Sequence, residues 1–318
     1  MTRAGPREVA RGFGRVVATR GFAMSARNVP HERPVAWHNI MVRRSLALTF
    51  VAACGSPPSP PPADTPDAPL GPVDAAPDAC RLPFPPNPNP PAAPPFDGTV
   101  FLAPGLFTDG DPTSFASLTP KGRGIRTMFD RRTNSFNEVD ARLFDARFGT
   151  TVSIEIQVNP ELDDAAAEAA ARFYATAIGR LPAFQFADLQ TVWMHRGLFP
   201  FGGGNNNLLI HTEQGDAYVA DGFLEEVFLH ESSHTSLDAH HAATARWQEA
   251  QTADAGYIST YARDNPTRED VAESLVPYLA QKYRPERLAA GQLDAIRHAM
   301  PNRITYFDCL GLTLDRVP

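Results

Sequence analysis

The sequence holds no apolar run long enough to span a membrane. A spanning helix needs about 20 residues, and residues 45–53 (SLALTFVAA) make up only nine. There is no internal repeat. The glycine-rich stretch 202–207 (GGGNNN) lacks the Lys-Ser/Thr and following helix of a phosphate loop, so nucleotide binding is not expected. It reads instead as a flexible loop that flanks a cleft. Cysteine is rare, with three residues in the whole chain. Basic charge is also short beyond the N-terminal region. Residues 1–53 carry 9 of the 29 Lys and Arg and 2 of the 36 Asp and Glu, which leaves 20 basic against 34 acidic residues, a net of −14. A chain that acidic repels phosphate backbones, so no nucleic-acid partner is expected.

Proline is abundant. Of 31 prolines, 17 fall between Pro57 and Pro95. Length alone suggests two domains at about 150 residues each, but this tract reduces the expectation to one folded domain behind a long tail. Residues 55–95 are rich in Pro, Ala and Asp and poor in bulky apolar side chains. Such a stretch buries too little to fold and is expected to be an extended linker.

The stretch before it reads as an export signal. Met41-Val-Arg-Arg44 is a short positive segment, and residues 45–53 have the length of a signal-peptide core. They end in Val51-Ala-Ala-Cys54 followed by Gly55 and Ser56, which resembles the bacterial lipobox, where the cysteine becomes lipidated. Cleavage near Ala53 with Cys54 unmodified is the plainer alternative. Residues 1–40 carry seven Arg and two Glu, and translation is expected to start at Met41. The expected division is a leader (1–53), a lipobox cysteine with its linker (54–95), and one domain (96–318). A lipid on Cys54 would place the protein in the bacterial cell envelope, at the outer membrane or cell surface. Cys80 and Cys309 then remain for a disulfide. Cys80 as a thiolate on a metal, or two free thiols, are the other readings.

Within the domain, residues 151–158 (TVSIEIQV) alternate apolar and polar as a half-buried strand does. Asp163 and Asp164 open an Ala-rich helix, and residues 191–195 and 208–212 are two further strands. A helix is expected over about 221–238, with more helices toward the C-terminus. Strands and helix followed by helices suggest an α+β fold.

The chemistry concentrates in His230-Glu231-Ser232-Ser233-His234. Two histidines four residues apart on a helix lie one turn apart, so both imidazoles reach one Zn²⁺. Glu231, beside the first, can exchange protons with a water activated by the metal. Ser232 and Ser233 are too short to obstruct the approach. The bland alternative is a solvated helix face. Against it stand the apolar residues just before the motif (Phe223, Leu224, Val227, Phe228, Leu229), the strand 208–212 in the place of a substrate-pairing edge strand, and the export signal.

Two third ligands are open. His240 gives the spacing HExxHxxGxxH with Leu237 at the glycine; on an unbroken helix His240 lies about 80° off the His230 direction, and Leu resists the turn that would bring it back. The other is Glu269. Asn265 and Pro266 look like the cap and first residue of a helix, on which Glu269 and Glu273 share a face. Asp238, four residues past His234, can accept a hydrogen bond from a ligand histidine or simply end the helix. His211 alternates on its strand and either faces the cleft or, as expected, is simply solvated; His195, His241 and His298 receive no role.

His230–His234, Tyr261-Ala-Arg-Asp-Asn265 and Glu269-Asp-Val-Ala-Glu273 together resemble the gluzincin clan of zincin metallopeptidases, especially the lethal-factor-type toxin peptidases, over about residues 223–280. The resemblance departs at Ser236 and in the spacing from Tyr261 to Glu269. It implies a zincin-like domain with a small twisted sheet, an active-site helix and a helical C-terminal half. It further implies Glu269 as third zinc ligand, Glu273 as a carboxylate orienting a ligand histidine, and Tyr261 as the phenol that stabilises the oxyanion. The expected function is zinc-dependent hydrolysis of peptide bonds in a peptide or protein substrate. The alternative is a non-catalytic envelope lipoprotein with a structural zinc or none.

Overall fold

Period-two patterning builds the centre of the molecule. In the computed structural model, which describes residues 83–102 and 105–318, six strands form one sheet. They are β1 (Phe115–Asp130), β2 (Ser135–Phe148), β3 (Val152–Val158), β4 (Thr191–His195), β5 (Gly202–Gly204) and β6 (Asn207–His211). Their order is β1-β2-β3-β4-β6-β5. The β1, β2 and β3 pairs are antiparallel, β4 runs parallel to both β3 and β6, and β5 is antiparallel to β6. On β3, Ile154, Ile156 and Val158 face the core while Ser153 is exposed, which realises the alternation read from the sequence.

Helix α1 (Asp164–Ile178) covers one face. Asp163 caps it by accepting the Ala166 N–H at 2.8 Å, a contact worth about 1 kcal/mol. Ala167, Ala171, Tyr174 and Ile178 recur at helical spacing on its buried side. The helix expected over about 221–238 is α3 (Leu224–Ser236), and a separate helix, α2 (Thr212–Asp221), precedes it. Gly222 separates them in the left-handed conformation, with φ 80°, where a side chain would be strained. The strand expected at the sheet edge, β6, lies one place inside it. The edge is β5, the glycine-rich stretch expected to be a loose loop. Asn205 and Asn206, both with positive φ, make the tight turn that joins β5 to β6.

The C-terminal half is helical: α4 (Asp238–His241), α5 (Ala245–Asp254), α6 (Thr260–Asp264), α7 (Asp270–Tyr283), α8 (Gln292–Ala299) and α9 (Pro301–Leu310). The described residues thus form an α+β fold in one unit. A buried ion triad ties these helices together. Arg303 on α9 reaches Asp254 on α5 at 3.1 Å and Asp270 on α7 at 2.8 Å. Removing one member of such a group leaves an unpaired buried charge, at a cost of about 3–5 kcal/mol.

Residues 83–95, expected to belong to the extended linker, are packed on this helical half. Phe84 joins the core, its N–H bonds Glu249, and the Asn87 side chain donates to the carbonyls of Asp254 and His298. Extended proline-rich chain has no internal hydrogen bonds, so its backbone groups are available to a neighbour. The segment then runs through the molecule as a strap. Phe96 bridges to Ser259. The Val100 N–H donates to Glu273 at 3.0 Å, and the N–H groups of Leu102 and Leu106 donate to Glu226 on α3 at 2.6 and 2.5 Å. Glu226 is fully buried, and burial pushes its carboxyl up to about 7.

The expected export signal, with Cys54 and Cys80, lies outside the described residues. Cys309 on α9 is disulfide-bonded. Among the described residues, no helix is long and apolar enough to cross a membrane.

Candidate metal centre

Helix α3 presents the HExxH stretch. It lies between α7 and the β5–β6 end of the sheet, and hydroxyl groups fix its rotation. Ser236 donates to the Gln185 carbonyl at 2.8 Å, and Thr235 to the Asn207 carbonyl at 2.8 Å. Ser232 and Ser233, expected not to obstruct the approach to the metal, are buried and donate to the Leu229 carbonyl. The opposite side carries His230 and His234. Their Nε2 atoms lie 3.2 Å apart.

Glu269, at the N-cap of α7, completes a triangle. Its Oε2 is 3.2 Å from His234 Nε2 and 3.5 Å from His230 Nε2. These three residues can hold a metal ion. The geometry fits a small divalent cation. Ligands at the usual zinc bond lengths lie about 3.3–3.4 Å from one another in a tetrahedron, and the observed edges straddle that figure. The donor chemistry fits as well: three electron-pair donors converge on one point, which demands a cation or protons between them. Three protein ligands leave a tetrahedral site open on one side.

Each ligand is held from behind. Asp238 Oδ2 lies 2.6 Å from His234 Nδ1, and Glu273 Oε1 lies 3.6 Å from His230 Nδ1. The other Glu273 oxygen accepts the Ser259 hydroxyl at 2.7 Å and the Val100 N–H. Burial works against charge on His234, but Asp238 and Glu269 outweigh it and push the imidazole up to about 10. Burial likewise opposes charge on His230, which Glu269, Glu231 and Glu273 still raise. Glu269 is buried too, yet the two histidines hold its carboxyl well below the usual carboxylate range. The site is a cation-seeking pocket.

Glu231 is half-buried beside His230, and among the described residues its carboxylate makes no hydrogen bond or ion pair. Its negative charge acts on His230, His234 and Tyr261. Tyr261, 36% exposed, donates its hydroxyl to Glu269 Oε1 at 3.2 Å. Burial and that carboxylate push the phenol up to about 12. The edge strand crosses just above: a Cβ on Gly203 would fall 1.7 Å from the Glu231 carbonyl oxygen.

The alternative third ligand is not brought to this point. His240 lies on α4 beyond a break at Leu237, is exposed, and binds Asp188 at 2.7 Å. The break has an ordinary negative φ of −121° and does not return the chain to the metal. Asn265 does not open a helix either. It closes α6, with its N–H and side chain both on the Tyr261 carbonyl, and α7 begins at Asp270.

His211, expected in solvent, is fully buried, as is His195. They face each other at the ends of β6 and β4, each 3.8 Å from Asp130. His195 Nδ1 also contacts Asn159, while among the described residues neither His211 nitrogen has a hydrogen-bond partner. His241 bonds the Tyr306 hydroxyl. Sequence reasoning passed over Arg268, which reaches Glu269 Oε1 at 3.2 Å. Its signal was adjacency to Glu269.

The fold and site together define an α+β domain with a His-His-Glu group able to hold a metal ion. Comparison of the chain with family models, with curated proteins and with solved structures returns no match.

Proposed function

We propose that the protein is a zinc-dependent metallopeptidase with a zincin-like domain of the gluzincin pattern. The observation that carries this reading is the convergence of His230, His234 and Glu269 within ligand distance of one point, with the unpartnered Glu231 next to it. A purely structural zinc site takes four protein ligands; among the described residues this group has three.

Bound zinc would supply Lewis acidity, polarising the scissile carbonyl and lowering the pKa of the attacking water to about 7. Glu231 takes that water's proton and delivers it to the leaving amine. Asp238 and Glu273 hold the imidazoles with both Nε2 atoms facing the ligand position. Tyr261 turns its hydroxyl from Glu269 to the oxygen that gains charge. The outer edge of β5 pairs with no strand among the described residues, so an extended peptide can add there and lie across the metal. The substrate is therefore a peptide or protein segment in extended conformation. The signal-like segment and lipobox pattern of residues 41–54 support a location in the cell envelope on a lipid anchor.

The test is metal content together with hydrolysis of a general protein substrate, before and after chelation and with zinc added back. One zinc per chain and activity that follows the zinc are expected. Bound zinc without hydrolysis would favour the envelope lipoprotein with a structural metal.

A further inference from the structure

The two oxygens of Glu269 face different chemistry. Oε2 faces the histidines. Oε1 faces outward and accepts two donors, the Tyr261 hydroxyl and the Arg268 guanidinium, each at 3.2 Å. Among the described residues, Arg268 is the one Lys or Arg in contact with a cluster that otherwise holds the carboxylates of Glu231, Glu269, Glu273 and Asp238.

Structure gains little from it. The Arg268 side chain is 69% exposed, and ion pairs that open to water contribute between nothing and about 1 kcal/mol. Metal binding is opposed by it, because a cation hydrogen-bonded to a ligand carboxylate draws off the charge that the metal needs. A group that costs metal affinity and adds little stability at the mouth of the site fits a role toward the substrate. Guanidinium has five N–H donors, so Arg268 can keep one on Glu269 and offer another. Its backbone is held for this: the N–H groups of Arg268 and Glu269 both donate to the Asn265 carbonyl, at 3.1 and 2.9 Å.

Building on the peptidase reading, we propose that Arg268 acts with Tyr261 as the second donor to the scissile carbonyl oxygen as it becomes an oxyanion. Two donors meeting on one ligand oxygen form a cationic oxyanion hole on the solvent side of the metal. The hydroxyl lends a neutral hydrogen bond and the guanidinium a charged one, the stronger of the two.

The experiment compares the zinc-loaded protein with its Arg268→Ala and Arg268→Lys variants. Three quantities are measured: zinc affinity by competition with a chromogenic chelator, kcat and KM on a peptide substrate, and binding of a phosphinic pseudopeptide, whose tetrahedral anion imitates the oxyanion. In Arg268→Ala, kcat should fall ~10²-fold, as for loss of one oxyanion donor, with KM within about threefold. Phosphinate binding should weaken alongside kcat. Zinc affinity should stay level or tighten, and Arg268→Lys should recover part of the loss. A structural role gives the opposite pattern, slower turnover with looser zinc, and would overturn the proposal. So would full kcat in Arg268→Ala when the parent is active. A zinc-loaded parent that cleaves no peptide overturns the peptidase reading itself, and this assignment with it.

Discussion

A Cβ built on Gly203 lies 1.7 Å from the carbonyl oxygen of Glu231, so the edge strand β5 and helix α3 touch backbone to backbone. The contacting atom belongs to the main chain and cannot swing aside. Gly203→Ala must therefore lift β5 from α3 or shift the helix. We expect a loss of about 2–3 kcal/mol, several degrees in Tm for a domain of this size, and a fall in turnover. A variant that melts with the parent would place the strand elsewhere.

Glu231→Gln keeps the shape of the side chain and removes its ability to take a proton. Zinc should stay bound at one per chain, while turnover falls by at least ~10²-fold, the scale of a general base. Near-parent turnover in this variant would sink the mechanism.

Glu269 and His240 separate the two ligand sets. Glu269→Ala leaves two histidines at the metal, and zinc affinity should drop sharply. His240→Ala breaks only an exposed pair with Asp188, so zinc and activity should be retained and stability should change by less than ~1 kcal/mol. Glu273→Ala belongs in the same series, because Glu273 lies one turn further on and contacts His230 from behind. Its loss should weaken zinc less than that of Glu269. Full zinc in both glutamate variants, with loss only in His240→Ala, would reverse the assignment.

His211 gives the domain an acid sensitivity that is separate from the metal site. Burial is the largest influence and holds its imidazole down at about 4; His195, Arg131 and Arg132 act in the same direction, against Asp130. The unfolded chain, with an ordinary value near 6.5, takes up the proton first. Stability from this residue is complete above about pH 6.5 and declines as pH falls toward 4, by roughly 2 kcal/mol at pH 5. Denaturant titrations of the parent and of His211→Asn from pH 7.5 to 4.5 measure the difference. Parallel curves would exclude the effect.

The legible parts of this molecule were those in which local pattern and final environment coincide. Residues 191–195 and the Asp163 cap were readable because alternation and capping are local. His230 and His234 were readable because a spacing of four is one helical turn. The β1–β2 hairpin was not. Pro120, Gly122 and Gly124 give β1 the look of a loop, and what makes it a strand is its pairing with β2, a relation between distant residues. Triple glycine suggested flexibility at 202–204, whereas close approach to Glu231 demands it. Asn265 carried a helix-start signal that had already been spent on ending α6. Solvation of His211 was expected from strand alternation, but the far end of the hairpin brings Asp130 over it. Arg268 drew no notice because a surface arginine has no pattern of its own.

The strap through Val100 has a consequence for how the molecule is made. Val100 and Glu273 are 173 positions apart, and Leu102 and Glu226 are 124 apart. During synthesis His230 and His234 emerge before Glu269, and the carboxylate behind His230 meets its backbone donor only when the first and last thirds of the domain come together. Contacts of such separation form slowly, so the ligand set closes late on the folding route. Interactions absent from the transition state chiefly govern escape from the native state. Zinc should accordingly prolong the lifetime of the folded domain many-fold while leaving its rate of formation nearly unchanged, an asymmetry that stopped-flow unfolding and refolding with and without chelator would reveal.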